Sequence, residues 1–366
     1  MANMTERQAD TATRPRPRFA RELETPALHL PEGKRLGAVI GAVYGSNGDL
    51  FVLHQPNSQG AQGEDEAKGG WLANLVHFTA DGAFINAWGG KDHIPAADGV
   101  SQWPDGLEGL ESDDDGNLWI FGFRPDDNAV LKFSPAGELL LRIGKRGKAG
   151  DDDDTKFLDR PTSCYHDTTT REVFVTDGYG NHRVIAFNAD TGAFTRMWGA
   201  YGKKKPSMLE PEAPKPAYGR PPTSQQPDFA NPVHKVIISP GGKIYVADRI
   251  NNRVQEFELI PGGAHFLREV VIGPGTGLYG AAFDIGFAPG GEFMYVADGT
   301  NFRVWTVALD TFEVLGWTTV HSEHEGEINL PLQYDILHRF TVEPNGDLLL
   351  SCVNRGLKRL KFIGVR

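Results

Sequence analysis

Cysteine is scarce: Cys164 and Cys352 are the two in 366 residues. That excludes a disulfide-built scaffold and a zinc module made of cysteines. Long apolar runs are missing as well, and no stretch approaches the ~18 residues that a membrane helix needs. No segment sustains the 3.6-residue apolar period of an amphipathic helix. Positive charge is in deficit, with 37 Lys and Arg against 48 Asp and Glu for a net −11, which disfavours capture of nucleic acid. Residues 1–18 (MANMTERQADTATRPRPR) lack the apolar core of a secretory signal and read as a mobile polar tail. With so few cysteines this gives a cytoplasmic expectation. The 40% hydrophobic and 10% aromatic content is enough for a large core.

A block recurs six times. A turn and strand read NGDLFVLH (47–54), DGNLWIFG (115–122), TREVFVTDG (170–178), GGKIYVADR (241–249), GGEFMYVAD (290–298) and NGDLLLSC (345–352). The next strands read NLVHF, AVLKF, RVIAF, RVQEF, RVWTV and KRLKF, and a further strand such as GAFINAWG or GAFTRMWG follows in most copies. These runs are short, β-branched and aromatic, and Gly, Asn and Asp punctuate them, which is a hairpin signature. Four strands per copy at roughly 40–70-residue spacing predict an all-β, six-bladed β-propeller. Copy six stops at its third strand, so residues 19–30 (FARELETPALHL) are expected to close the ring over residues 19–366. The proline-rich insertion 203–230 is expected to cover one rim, with Lys203, Lys204 and Lys205 solvated. The run Asp151 to Asp154 lacks the spaced ligands of a calcium loop and reads as a solvated loop.

Counting seven residues back from each turn pair gives Ile40, Glu108, His234, Phe283 and His338 in copies one, two, four, five and six. Glu108, His234 and His338 therefore share one register on three blades and are expected to face the channel near one mouth. Two imidazoles and a carboxylate are the donor set of an open catalytic metal site. A polar channel without metal is the alternative. His321, Glu323, His324 and Glu325 form a local cluster between repeats and read as surface loop, and His182 reads as a solvent-facing strand residue.

The segments VTDGYGNHRVIAF, VADRINNRVQEF and VADGTNFRVWTV match the NHL-repeat pattern D-x-x-N-x-R-[VI]. More narrowly, LHLPEGKRLGAVIGAVYGSNGDLFVLH, RPTSCYHD and the first two of these segments resemble peptidyl-α-hydroxyglycine α-amidating lyase. The resemblance covers about residues 28–366. It implies carbon–nitrogen cleavage giving an amide and glyoxylate, a channel zinc held by histidines, a structural calcium, and catalytic tyrosine and arginine. His234 and His338 match two zinc positions and Tyr179 the tyrosine. Glu108 stands in place of a histidine ligand, Gln55 in place of an arginine, and Arg339 in place of an aspartate.

These readings combine into a metal-dependent lyase or hydratase acting on a small hydroxylated substrate, related to but distinct from the amidating lyase. The divalent metal is expected to be zinc. Tyr179 would shuttle a proton with its pKa lowered by the nearby cation, and Arg339 with Arg249 would hold an anionic group. The alternative is a non-catalytic scaffold that binds a protein partner on an apolar patch. Neither a membrane nor a nucleic-acid partner is expected.

Overall fold

The computed structural model describes residues 14–56, 70–209, 226–277, 279–320 and 336–366. The chain opens with β1 (Pro17–Glu24). Blade I follows as β2 (Ala38–Tyr44), β3 (Leu50–Gln55), β4 (Leu75–Phe78) and β5 (Phe84–Trp88). Blade II is β6 (Leu107–Ser112), β7 (Leu118–Gly122), β8 (Ala129–Phe133) and β9 (Leu139–Gly144). Blade III is β10 (Pro161–Asp167), β11 (Glu172–Asp177), β12 (Arg183–Asn188) and β13 (Phe194–Trp198). Blade IV is β14 (Val233–Ile238), β15 (Ile244–Asp248), β16 (Arg253–Ile260) and β17 (Gly263–Val271). Blade V is β18 (Ala282–Phe287), β19 (Phe293–Asp298), β20 (Arg303–Ala308) and β21 (Glu313–Thr319). Blade VI is β22 (Leu337–Val342), β23 (Leu348–Cys352) and β24 (Gly356–Val365), completed by β1 in the order β1-β24-β23-β22. The six-bladed all-β propeller and its closure by an N-terminal strand are thus as the repeat count required. The closing strand begins at Pro17, two residues earlier than the polar-tail reading allowed. Arg14 pairs with Asp310, and Arg16 Nη1 donates to the Leu315 carbonyl at 2.8 Å, tying the arm to blade V.

The inner strands β2, β6, β10, β14, β18 and β22 contact one another around the ring. Apolar side chains fill the spaces between blades, in clusters such as Phe174, Val184, Trp198, Phe257 and Val246. The inner hairpins turn where glycine takes a positive φ, at Gly48, Gly116, Gly242, Gly291 and Gly346. Blade III carries Arg171 with φ 55° at this point instead.

The repeat motif has a physical reason. In blade III, Asp177 accepts from Asn181 Nδ2 at 2.8 Å and from Arg183 Nε at 3.0 Å, and Arg183 also donates to the carbonyls of Asp152 and Phe157 at 2.9 Å. Asp248, Asn251 and Arg253 repeat this in blade IV. Each buried arginine thus fastens the loop that enters its blade. Blade V differs: Arg303 lies over the Trp317 ring, and the Trp305 indole donates to Asp298 at 2.9 Å.

Three loop expectations change. The acidic run is not simply solvated, because Asp152 is buried against the amide and ring of His182, which is itself half-buried, and the Asp152 carbonyl receives Arg183. Lys203 pairs with Asp228 at 2.5 Å rather than being free in solvent. Residues 210–225 of the insertion and the cluster at 321–325 lie outside the described residues.

Candidate metal centre

Each inner strand carries a β-bulge at one position, where its pairing skips Ile40, Glu108, Thr162, His234, Phe283 or His338. A bulge leaves one residue unpaired and re-aims its side chain. This is the structural basis of the shared register. Thr162 is the blade III member, hidden from counting because the Arg171 turn has no glycine pair to count from. Its hydroxyl donates to the Val233 carbonyl at 2.6 Å and so serves the wall.

The structure brings Glu108, His234 and His338 together, as the register predicted. Glu108 Oε1 lies 3.1 Å from His234 Nε2 and 3.3 Å from His338 Nε2. Two ligands on a tetrahedral zinc at ~2.0–2.1 Å are about 3.4 Å apart, so these separations suit a shared ion. The far ring nitrogens are committed: His234 Nδ1 faces the Phe283 carbonyl at 2.6 Å and His338 Nδ1 the Ile40 carbonyl at 3.1 Å. Donating there leaves each Nε2 a lone pair aimed at the carboxylate. His234 Nε2 and Glu108 Oε1 are buried without a hydrogen-bond partner despite their ion-pair distance. Facing acceptors buried away from water are costly unless a cation lies between them.

Charge states favour the same occupant. Burial pushes His234 down to about 3, against the pull of Glu108, so the ring is neutral and ready to ligate. Burial works against the Glu108 charge, but the charge of His338 and hydrogen bonding from His234 and His338 outweigh it and hold the carboxyl well below its usual range, so that with no metal bound these imidazoles act as its partners.

Beneath lies a layer of ion pairs. Lys235 Nζ donates to Glu111 Oε1 at 2.5 Å and sits 3.5 Å from Asp284 Oδ1. Arg339 Nη1 reaches Glu111 at 3.3 Å, and Nη2 donates to the Thr162 carbonyl and lies 3.8 Å from Glu108 Oε1. Arg339 therefore pairs chiefly with Glu111 and leaves Glu108 free for another partner. Gly109 makes room for it, since a Cβ there would meet Phe121 at 2.5 Å and Arg339 Nη2 at 3.1 Å. Lys235, Asp284 and Glu111 escaped sequence reading, although Lys235 and Asp284 stand one residue beyond the bulge position that the count used.

The other expected residues lie near this cluster. Arg249 Nη1 donates to the Tyr179 hydroxyl at 3.4 Å, while its Nε donates to the Tyr279 carbonyl at 2.7 Å. The expectation of a lowered Tyr179 pKa is reversed by the protein's own groups. Burial first, then the Glu108 charge, push its deeply set hydroxyl up to about 12, with Arg249 opposing only in part. Gln55 Oε1 accepts from the Leu107 amide at 3.0 Å, so it clamps the start of β6 beside Glu108. A second cluster, Asp113, Asp115 and His166, lies apart, but Lys132 Nζ already sits 3.3 Å from Asp113. Neither cluster is the all-oxygen set that calcium takes.

A closed ring of six four-stranded blades, with NHL motifs fastening the loops and a histidine–carboxylate cluster in the channel, defines an NHL-type propeller. Its homologues include NHL repeat-containing proteins and the amidating enzymes, at low identity. Human NHL repeat-containing protein 3 is 25% identical over 262 residues, covering 70% of this chain and 64% of that protein. Peptidyl-glycine alpha-amidating monooxygenase A of Xenopus laevis is 28% identical over 212 residues, covering 56% of this chain and 19% of the enzyme. The chain thus spans less than two thirds of these curated relatives. Peptidyl-alpha-hydroxyglycine alpha-amidating lyase 2 of Drosophila melanogaster is 42% identical over 82 residues, covering 22% of this chain and 19% of that protein. No protein-family model matches. Among solved structures, a streptogramin B lyase superposes with TM-score 0.52 at 11% identity, covering 93% of this chain and 98% of that one. That likeness concerns the fold alone. Among the described residues no helix is long and apolar enough to cross a membrane.

Proposed function

We propose that the protein is a metal-dependent lyase or hydratase-like enzyme acting on a small hydroxylated substrate at the channel mouth. The observation that carries this is the convergence of Glu108, His234 and His338 on a point where Glu108 Oε1 and His234 Nε2 are buried and unpartnered. These three residues fit a divalent metal of zinc type and would leave a coordination position open. When bound, such a metal acts as a Lewis acid on a hydroxyl or carbonyl oxygen. The Phe283 and Ile40 carbonyls hold the two imidazoles in their ligating orientation. Tyr179, protonated at neutral pH, is a proton donor to a departing group, and Arg249 orients its hydroxyl. Similarity to proteins named as amidating lyases favours elimination chemistry. Glu108, Gln55 and Arg339, standing where the resembling family has other residues, favour a different substrate.

A second reading, a binding propeller with a structural metal, is favoured by the burial of the cluster, with Glu108 3% and His234 0% exposed. Elemental analysis of the purified protein comes first. Turnover of small α-hydroxylated amides and hydroxy acids is then compared in wild type, Tyr179→Phe and Glu108→Ala. Stoichiometric metal with turnover lost in both variants supports the enzyme. Metal without turnover supports the structural reading, and protein that neither carries nor takes up zinc sinks both.

A further inference from the structure

The three strands that carry the cluster are not neighbours in the ring. Glu108 is on β6, His234 on β14 and His338 on β22, so the cluster draws on blades II, IV and VI, every second blade. Each inner strand packs on the two beside it: β6 on β2 and β10, β14 on β10 and β18, β22 on β18 and β2. A metal site requires its donors within about 0.2 Å of the ideal distance. Strand pairing cannot set that distance here, because each hydrogen-bonded sheet lies within one blade. Packing fixes a blade only against the next one, so the error accumulates over two interfaces. A side chain that crosses the channel fixes the distance directly.

Glu111 does this for all three strands. On β14 and β22 the residue directly after the bulged histidine is a long cation, Lys235 after His234 and Arg339 after His338. Both cations end on one atom. Glu111 Oε1 lies 2.5 Å from Lys235 Nζ and 3.3 Å from Arg339 Nη1, and Glu111 stands three residues beyond Glu108 on β6. The ion pairs thus repeat, one layer down, the meeting of three blades that Glu108 makes with His234 and His338. Lys235 is 5% and Arg339 3% exposed, so water and salt screen these pairs little. Asp284 also faces both cations, at 3.5 and 4.0 Å, but from blade V, which already packs on blades IV and VI. It adds charge without adding a link to blade II.

On the reading that a metal occupies the cluster, we infer that Glu111 is a positioning residue of that centre. It ties Lys235 and Arg339 to β6 and so holds the bulges carrying His234 and His338 in register with Glu108. It acts through the two cations.

The test is zinc affinity, measured by competition with a chromophoric chelator, together with the visible absorption of the cobalt(II)-loaded protein, whose bands report ligand geometry. Glu111→Ala should weaken zinc binding about 10–100-fold, the usual cost of losing the outer support of a metal ligand, and should shift or weaken the cobalt bands. Glu111→Gln keeps the reach and the acceptor, so its cobalt spectrum should match wild type. Asp284→Asn removes the same charge from beside the same two cations and should also keep the wild-type spectrum. Lys235→Met cuts one of the two ties; it serves should Glu111→Ala not fold, and its bands should shift. A wild-type cobalt spectrum in folded Glu111→Ala or Lys235→Met overturns the inference while leaving the metal reading intact. So does an equal spectral change in Asp284→Asn, which would mark a charge effect. Failure of wild type to bind zinc or cobalt overturns both.

Discussion

Ring closure rests on Phe19, and removing its ring should reveal how much of the propeller's stability that strand carries. Phe19 is 8% exposed and packs edge-on against Tyr295 at 5.5 Å and Phe362 at 6.0 Å. It thus bridges β1, β24 and the neighbouring blade V. Truncating a buried phenylalanine to alanine costs about 3–5 kcal/mol. Unfolding entropy scales at ~2.1 cal/mol/K per residue, or about 0.8 kcal/mol/K for 366 residues. Phe19→Ala should therefore lower Tm by about 4–6 °C in a thermal melt followed by circular dichroism. Removing residues 1–30 also removes the β1 pairing with β24, and should lower Tm by more than about 7 °C or leave the protein unfolded. Removing residues 1–15 keeps β1 and deletes the Arg14 to Asp310 surface pair, worth at most about 1 kcal/mol. Ile363→Ala on β24, a residue 57% exposed, is the control for side-chain loss on the same sheet. A Phe19→Ala melt within 1 °C of wild type would refute the reasoning, because the blade would then be closed by something other than this strand.

Zinc at a hundredfold excess over its Kd stabilises by about 2.7 kcal/mol. That should raise Tm by about 3 °C in wild type and not in His234→Ala, read by the same melt. Gly109→Ala drives a methyl into the Phe121 ring and toward Arg339, so it should cost on the order of 1–3 kcal/mol in denaturant titration. Asp298 is buried, and burial outweighs its hydrogen bonds from Trp305 and Asn301 and the charge of Arg303, raising its pKa from 3.8 to about 6. The folded protein thus binds this proton more tightly than the unfolded chain. The stability difference between wild type and Asp298→Asn should shift in favour of wild type by about 2 kcal/mol as pH falls from 7 to 4. A pH-independent difference would show that Asp298 does not carry a raised pKa.

The sequence by itself determined the blade count, the strand order and the channel register. Each of these follows from a local repeat: a hairpin with glycine at positive φ, an apolar strand, and a fixed number of residues between the turn and the bulge. That is why Glu108, His234 and His338 could be aligned by counting, although 126 residues separate Glu108 from His234. The same counting missed Thr162, because Arg171 rather than glycine occupies its turn.

Only the tertiary structure decided what these residues meet. Arg339 could have neutralised Glu108; packing places Glu111, three residues further along β6, closer to it instead. Tyr179 was expected near a cation and so at a lowered pKa, yet the depth of its hydroxyl outweighs the arginine beside it. Burial, and the pairing of charges from four different blades, depend on how the ring closes. No local pattern contains that information, because the interacting groups come from different blades and meet only across the channel.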